Sequence, residues 1–187
     1  SHTGIYFVTH GSQGHEFHYL RADSAASRMT PQWLAGTPVE LIRSARFLHL
    51  SGISLAISAG ACDTGLEAME AAREAGTRVS FDPNLRRKLW PLARARACIA
   101  HAVSLCDVFL PSLEDMLALT GLSQPGDIVQ WGHDHGAATV VLKLGADGAL
   151  VSDGQDRQPI APGNVTVRDA TGAGDCFAGS LLARLAS

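Results

Sequence analysis

Short apolar strands alternate with amphipathic helical segments along most of this chain. Strands are predicted at 47–50, 79–81, 108–110 and 139–144, and apolar residues recur at helical spacing between them. A strand–helix–strand unit connects parallel neighbours in one sheet. The order therefore predicts an α/β fold, a doubly wound, mostly parallel sheet with helices on both faces.

Two hairpins complete the predicted sheet structure. Segments 5–8 and 17–21 are typical of strands, and they are joined by a polar turn that holds Gly11 and Gly14. Segment 148–152 is predicted to pair back on the strand at 139–144.

The helix starts carry recognisable signals. Thr30-Pro31 and Thr37-Pro38 are each typical of an N-cap followed by proline. Thr64-x-x-Glu67 is a capping box, which predicts a helix that begins there and ends at Gly76. Further helices are predicted at 91–106, 113–120 and 126–135.

Composition restricts the class of partner. The net charge is −3 over 187 residues with no basic block, which disfavours nucleic acid and anionic membranes. The apolar stretch at 48–62 is interrupted by His49 and three serines, so it does not predict a membrane span. The four cysteines are scattered, which predicts reduced thiols in a cytoplasmic protein.

Residues 168–179 combine glycines with the start of a helix. The backbone amides of Gly172, Ala173 and Gly174 can converge on one anion, and the helix dipole adds positive charge there. Asp175 follows at once, a carboxylate beside an anion site. Phosphoryl transfer would use both, since the carboxylate can take a proton from an attacking hydroxyl. A merely capped helix explains the same spacing equally well.

Polar side chains also follow the predicted strands, where ligands bind in sheets of this kind. Arg86 lies in a charged loop after the strand at 79–81. Tyr19 and Arg21 are two residues apart and share one face of a strand, an arrangement that suits a sugar acid. A solvent-facing pair on an edge strand is the alternative.

The motif Asp169-x-Thr171-Gly172-Ala173-Gly174-Asp175-x-Phe177-x-Gly179 resembles the C-terminal signature of the ribokinase-like (PfkB) carbohydrate kinases. The resemblance implies that Asp175 is the catalytic base and contacts the substrate hydroxyl. It implies that the backbone of 172–174 forms the anion hole, with Thr171, Gly172 and Gly174 near the nucleotide. ATP and Mg²⁺ are the implied cofactors. Some members also have a monovalent-cation (K⁺) site near Asp169 and Thr171.

Within that family, Asp82-x-Asn84-x-Arg86, followed by Leu-Trp, is similar to the pattern of 2-keto-3-deoxygluconate kinases. Arg86 would then hold the substrate carboxylate. Tyr19 and Arg21 match the Tyr-x-Arg of the same subfamily, and Tyr6 resembles its other tyrosine. The implied activity is ATP-dependent phosphorylation of this sugar acid to its 6-phosphate. A fructokinase or ribokinase type of neutral-sugar kinase, or a non-catalytic binding module derived from a kinase, are the alternatives.

Two further segments resemble the nucleotide side of the family. Lys143, Gly145 and Gly148 would lie near the ATP phosphates or ribose, although an ordinary glycine hairpin explains both glycines. Ser112 and Asp115 stand where most members have Asn-x-x-Glu, whose carboxylate helps to organise magnesium. Here Asp115 or its neighbour Glu114 would do so, and an N-cap role for Ser112 is the alternative.

The resemblance covers residues 1–187 as one sugar kinase domain. It implies truncation at both ends, because the usual N-terminal strands with their lid and the C-terminal segment of the adenine pocket have no counterpart. Helices and strands whose packing partners are missing expose apolar surface, which favours association. A homo-oligomer is therefore expected, with a sugar acid and ATP as the small-molecule partners.

Overall fold

The computed structural model describes residues 1–11 and 14–187, without the side chains at 10, 11 and 14–16. The strands in this part of the chain are β1 (Ile5–Gly11), β2 (Gly14–Leu20), β3 (Phe47–Ser51), β4 (Arg78–Asp82), β5 (Val108–Phe109), β6 (Thr139–Lys143), β7 (Ala149–Ser152) and β8 (Arg157–Ile160). The helices are α1 (Thr37–Ser44), α2 (Gly52–Leu55), α3 (Ala59–Glu74), α4 (Leu92–Ser104), α5 (Leu113–Thr120), α6 (Pro125–Asp134) and α7 (Ala173–Ala186).

The main sheet contains six strands in the order β3-β4-β5-β6-β7-β8. The first four are parallel, and β7 and β8 add antiparallel at one edge. The return of β7 onto β6 was predicted from the sequence, whereas β8 was not. Because β3 to β6 run in one direction, their carboxyl ends meet at the same edge of the sheet.

Alternate residues of the strands face two different layers of helices. Phe81, Phe109 and Leu142 are fully buried in the larger core, which includes side chains of α3, α4, α5 and α6. Val108 and Val141 face the other way and pack with Ala178 of α7. Helices therefore lie on both faces of the sheet, and the predicted α/β fold class is confirmed.

The predicted N-terminal hairpin is also confirmed. β1 and β2 form a separate antiparallel sheet in which Tyr6 is opposite Tyr19. Positions 12 and 13 of its turn lie outside the described residues. Across the described part of the chain, no helix is long and apolar enough to cross a membrane.

Two predicted helix starts are wrong. Helix α3 begins at Ala59, five residues before Thr64, because the extended Ser58 is the N-cap and its hydroxyl accepts from the amide of Ala61 at 3.0 Å. Thr64 lies within the helix and donates instead to the carbonyl of Gly60. For α1 the N-cap is Gly36 and not Thr37, since its φ of 74° turns the chain into the helix.

The other helix predictions are close to the structure. Thr30 is the N-cap of a single 3-10 turn, Pro31–Leu34, without a side-chain capping bond. The helices predicted at 91–106 and 126–135 occupy Leu92–Ser104 and Pro125–Asp134. Ser112 is the N-cap of α5, as the alternative interpretation of that residue predicted, and accepts from the amide of Asp115 at 3.1 Å.

Candidate active site

A cleft of about 810 Å³ opens at the carboxyl ends of β4, β5 and β6. Its walls come from the loop after β4, the start of α5, the turn after β6, and the glycine turn that opens α7. Twelve of the predicted site residues line this cleft: Arg86, Ser112, Glu114, Asp115, Lys143, Gly145, Gly148, Thr171, Gly172, Ala173, Gly174 and Asp175.

The glycine turn has the geometry of an anion site. Gly172 is the N-cap of α7 with a φ of 75°, a left-handed conformation that favours glycine. The amide of Ala173 is already bonded to the carbonyl of Ala170. The amides of Gly174 and Asp175 donate to no other described residue, so these two can bind an anion at the positive end of the helix.

Asp175 is the third residue of α7 and lies on the wall of the cleft. Its side chain is exposed and forms no hydrogen bond or ion pair with any residue that the structure describes. A free carboxylate beside two free amides is an arrangement that can take a proton from a bound hydroxyl.

An ion pair between Asp82 and Lys143 lies in the same cleft. The ammonium of Lys143 donates to Oδ2 of Asp82, and Oδ1 of Asp82 accepts from the amide of Asn84 at 3.1 Å. Only 7% of the Asp82 side chain and 18% of the Lys143 side chain are exposed. A Cβ atom on Gly174 would lie 3.9 Å from Nζ of Lys143, so the ammonium stands beside the glycine turn.

Asp115 and Glu114 place two carboxylates at the N-terminus of α5, on the wall of the cleft. Burial raises the pKa of Asp115, and the charge of Asp82 raises it further, while the Ser112 hydroxyl and the charges of Arg86 and Lys143 lower it. The described residues contain no group of three or more metal-binding side chains. Two carboxylates fit Mg²⁺, which keeps several of its waters when bound.

We expect Asp115→Asn to stabilise the fold near neutral pH. A carboxyl group whose pKa is raised by folding contributes stability below its unfolded pKa, and loses that contribution as the pH rises through its folded pKa. The uncharged amide avoids this loss. The melting temperature of the variant should therefore exceed that of the wild type at pH 7–8, and the difference should vanish towards pH 3. A gain of equal size at every pH would contradict this origin.

The turn after β6 favours the hairpin interpretation of its glycines. Gly145 and Gly148 have φ values of 62° and 88°. A Cβ atom on Gly148 would lie 2.1 Å from the carbonyl oxygen of Ile160. The close approach of β8 is therefore enough to require glycine at this position, whether or not a ligand binds. A Cβ atom on Gly145 would meet nothing within 4 Å. Both glycines nevertheless line the cleft beside Lys143.

The four residues predicted to hold the sugar acid do not all meet. Arg86 lines the cleft, with its guanidinium 5.7 Å from the ring centre of Phe17. Tyr6, Tyr19 and Arg21 do not line it and form a group on the hairpin, where the tyrosine rings are 6.5 Å apart. The guanidinium of Arg21 lies 5.4 Å from the ring of Tyr19, and its buried Nε has no hydrogen-bond partner among the described residues.

Several residues of the cleft were given no site role from the sequence. Asp82 is the last residue of β4, and its position directly after the predicted strand at 79–81 was a usable signal. Phe17 lies on the hairpin, and only the tertiary fold brings it to the cleft. Phe177 belongs to the signature motif without an assigned role, is 37% exposed and lines the cleft.

Comparison with known proteins identifies the family. The chain is 36% identical over 165 residues to a 2-dehydro-3-deoxygluconokinase of Bacillus subtilis, covering 86% of this chain and 49% of the relative. It is 35% identical over 187 residues to a probable fructokinase-4 of Arabidopsis thaliana, covering 98% and 56%. A putative ribokinase II of E. coli, solved in complex with ATP and Mg²⁺, superimposes with a TM-score of 0.83 at 26% identity, covering 96% of this chain and 56% of that one.

The chain thus spans about half the length of the curated relatives that it matches. The family model for pfkB family carbohydrate kinases matches residues 1–187, which is the whole sequence. The motif at 169–179 forms the glycine turn and the start of α7, on one wall of the cleft. The chain belongs to the pfkB family of carbohydrate kinases.

Proposed function

We propose that this protein phosphorylates a sugar acid with ATP, and that the acid is 2-keto-3-deoxygluconate, converted to its 6-phosphate. The observation that carries the proposal is the position of Asp175 at the start of α7. Its free carboxylate adjoins two free backbone amides and faces the same cleft as the guanidinium of Arg86. A base, an anion site and a cation for the substrate thereby share one cavity.

Asp175 and the two backbone amides have different roles in the proposed reaction. The carboxylate of Asp175 takes the proton of the sugar hydroxyl, whose oxygen forms a bond to the γ-phosphorus as the bond to the ADP oxygen breaks. The amides of Gly174 and Asp175 donate to the phosphoryl oxygens, where charge is redistributed in the transition state. ADP leaves with the electrons of the broken bond, and the proton remains on Asp175 until it is lost to water.

Arg86 supports an acid as the substrate. Among the residues that the structure describes, its guanidinium forms no ion pair, and its one hydrogen bond goes to the carbonyl of Leu85 at 3.0 Å. A half-buried cation without a carboxylate partner is suited to bind one from the substrate. Tyr6, Tyr19 and Arg21 join this site only if the hairpin moves towards the cleft, which we include in the proposal.

ATP with Mg²⁺ is the proposed phosphoryl donor. Asp115 and Glu114 are the residues that would hold the metal, which neutralises phosphate charge when it is bound. Thr171, whose amide donates to Asp169 at 2.8 Å, belongs to the loop that would bind K⁺. The E. coli neighbour that was solved with ATP and Mg²⁺ supports this choice of cofactors.

A neutral-sugar kinase is the second candidate. The fructokinase relative is as similar to the chain as the 2-dehydro-3-deoxygluconokinase is. The position of Tyr6, Tyr19 and Arg21 outside the cleft also weakens the argument for an acid.

The test is ADP release by the full-length protein with Mg-ATP and each of three acceptors: 2-keto-3-deoxygluconate, fructose and ribose. We expect the keto acid to give the highest kcat/KM. A higher value for fructose would replace the proposal by the neutral-sugar kinase. Nucleotide binding without product from any acceptor would identify a non-catalytic binding module.

We also propose self-association through the N-terminal hairpin. Ile5, Phe7 and Leu20 are about half exposed on this two-stranded sheet, which is apolar enough to favour a second copy as its cover.

Cys62, Cys98, Cys106 and Cys176 are free thiols, which agrees with a cytoplasmic enzyme.

A further inference from the structure

We propose that Asp82 is a positioning residue, which holds the ammonium of Lys143 at the phosphoryl-transfer site before ATP binds. This inference rests on the proposed kinase function. Asp82 lies outside the signature motif, and the proposal assigns it a specific role in the reaction.

The fold brings the two side chains together from strands that are not neighbours. Asp82 and Lys143 are the last residues of β4 and β6, and β5 lies between these strands. Adjacent strands are about 4.8 Å apart, so β4 and β6 are separated by about 10 Å. β5 ends at Phe109, and the four-carbon stem of lysine can therefore cross above it to reach the carboxylate.

Strand alternation directs both side chains towards α7. Phe81 and Leu142 point into the larger core, so the residues that follow them point to the opposite face, where Ala178 of α7 packs. The glycine turn opens this helix. The ammonium consequently lies next to Gly174, where the free amides and the helix dipole already favour an anion.

Asp82 is itself fixed on both oxygens. One accepts from the Lys143 ammonium and the other from the amide of Asn84. The carboxylate is almost fully buried, so it cannot exchange its partner for water. A lysine side chain that is free to rotate samples many positions around a bound phosphate, and few of them suit the transition state. Asp82 keeps the ammonium in one position in advance.

The negative charge of Asp82 also opposes the binding of nucleotide phosphate, and this effect can be measured. Asp82 partly neutralises the ammonium and so weakens its attraction for nucleotide phosphate. Removal of the carboxylate charge alone should leave a stronger but poorly positioned cation. Nucleotide binding should then tighten while turnover slows, and general damage to the site would not produce this combination.

The experiment combines Asp82→Asn and Lys143→Met in the full-length protein. Affinity is measured by calorimetry with Mg²⁺ and β,γ-imido-ATP, with ADP as the matched ligand that lacks the γ-phosphate. For Asp82→Asn we expect kcat to fall about tenfold and affinity for β,γ-imido-ATP to rise at least about threefold. For Lys143→Met we expect this affinity and kcat each to fall about ten- to a hundredfold, with a smaller change for ADP.

The double variant decides whether the residues act together. If Asp82 works through Lys143, the kcat of the double variant equals that of Lys143→Met, and it does not show the product of the two losses. The double variant also leaves no buried unpaired charge, which protects its folding. Ser80→Ala is the control, because Ser80 lies on the same strand and face but contacts His49 at 3.1 Å, not Lys143.

The proposal is overturned if the two losses multiply, if Asp82→Asn weakens the binding of β,γ-imido-ATP, or if Ser80→Ala reproduces the pattern. The proposed function fails separately if the wild type binds β,γ-imido-ATP but phosphorylates no sugar. In that case the coupling between Asp82 and Lys143 is measured from the affinities for β,γ-imido-ATP. Asp82→Asn should tighten binding in the protein that has Lys143 and should not do so in the Lys143→Met background. A wild type that does not bind the analogue overturns both.

Discussion

Asp175→Asn should lower kcat by about 10²–10⁴-fold, because the amide cannot take the proton of the attacking hydroxyl. Asparagine preserves the size of the side chain, and the backbone amides of the anion site remain. Nucleotide binding should therefore persist. The measurements are kcat with saturating Mg-ATP and acceptor, and the dissociation constant of Mg-ADP, both in the full-length protein.

Asp127→Asn is the matched control for this variant. Asp127 is the third residue of α6, as Asp175 is of α7, and each acid interacts with the dipole of its own helix. Asp127 lies outside the cleft, so its replacement should cost a little stability and no turnover. Near-normal turnover of Asp175→Asn would show that another group removes the proton.

The architecture was predictable because it follows from local patterns. Strands β3, β4, β5 and β6 each carry apolar residues that only a sheet covered by helices can bury, and their order along the chain requires crossover connections. β8 was not predictable in this way. Its four residues are all exposed and include Pro159, so its sequence lacks the alternation that marks a half-buried strand.

The helix starts show where local signals compete. Ser58 and Thr64 can both act as N-caps, and the capping-box pattern at Thr64 is the stronger one in the sequence. The structure uses Ser58, because the longer helix buries Ala61 and Cys62 against the core. Tertiary burial therefore decided between two capping residues that local sequence ranks in the opposite order.

The candidate site likewise contains some contacts that local sequence predicts and others that depend on the tertiary fold. Asp175 and the glycine turn form one continuous segment, so the sequence predicts their proximity. The Asp82–Lys143 pair joins residues that are 61 positions apart, and it depends on the strand order and on the short β5. The separation of Tyr19 and Arg21 from the cleft likewise depends on where the hairpin packs, which no local pattern encodes.

Arg86→Gln should reduce kcat/KM for 2-keto-3-deoxygluconate by about ten- to a hundredfold, since a charge-assisted hydrogen bond to a carboxylate contributes about 1.5–3 kcal/mol. Most of the change should appear in KM, because the carboxylate is distant from the reacting hydroxyl and is bound equally in the ground and transition states. Activity on fructose, which has no carboxylate, should change little.

Arg87→Gln is the control, because Arg87 is the adjacent cation in the same loop, is exposed, and does not line the cleft. It should leave both substrates unaffected, which separates a specific contact from the general positive potential of the loop. Equal losses for the keto acid and fructose in Arg86→Gln would mean that Arg86 acts on the phosphates or on the loop itself. An acid-specific loss in Arg86→Gln alone would identify the guanidinium of Arg86 as the group that selects an acid over a neutral sugar.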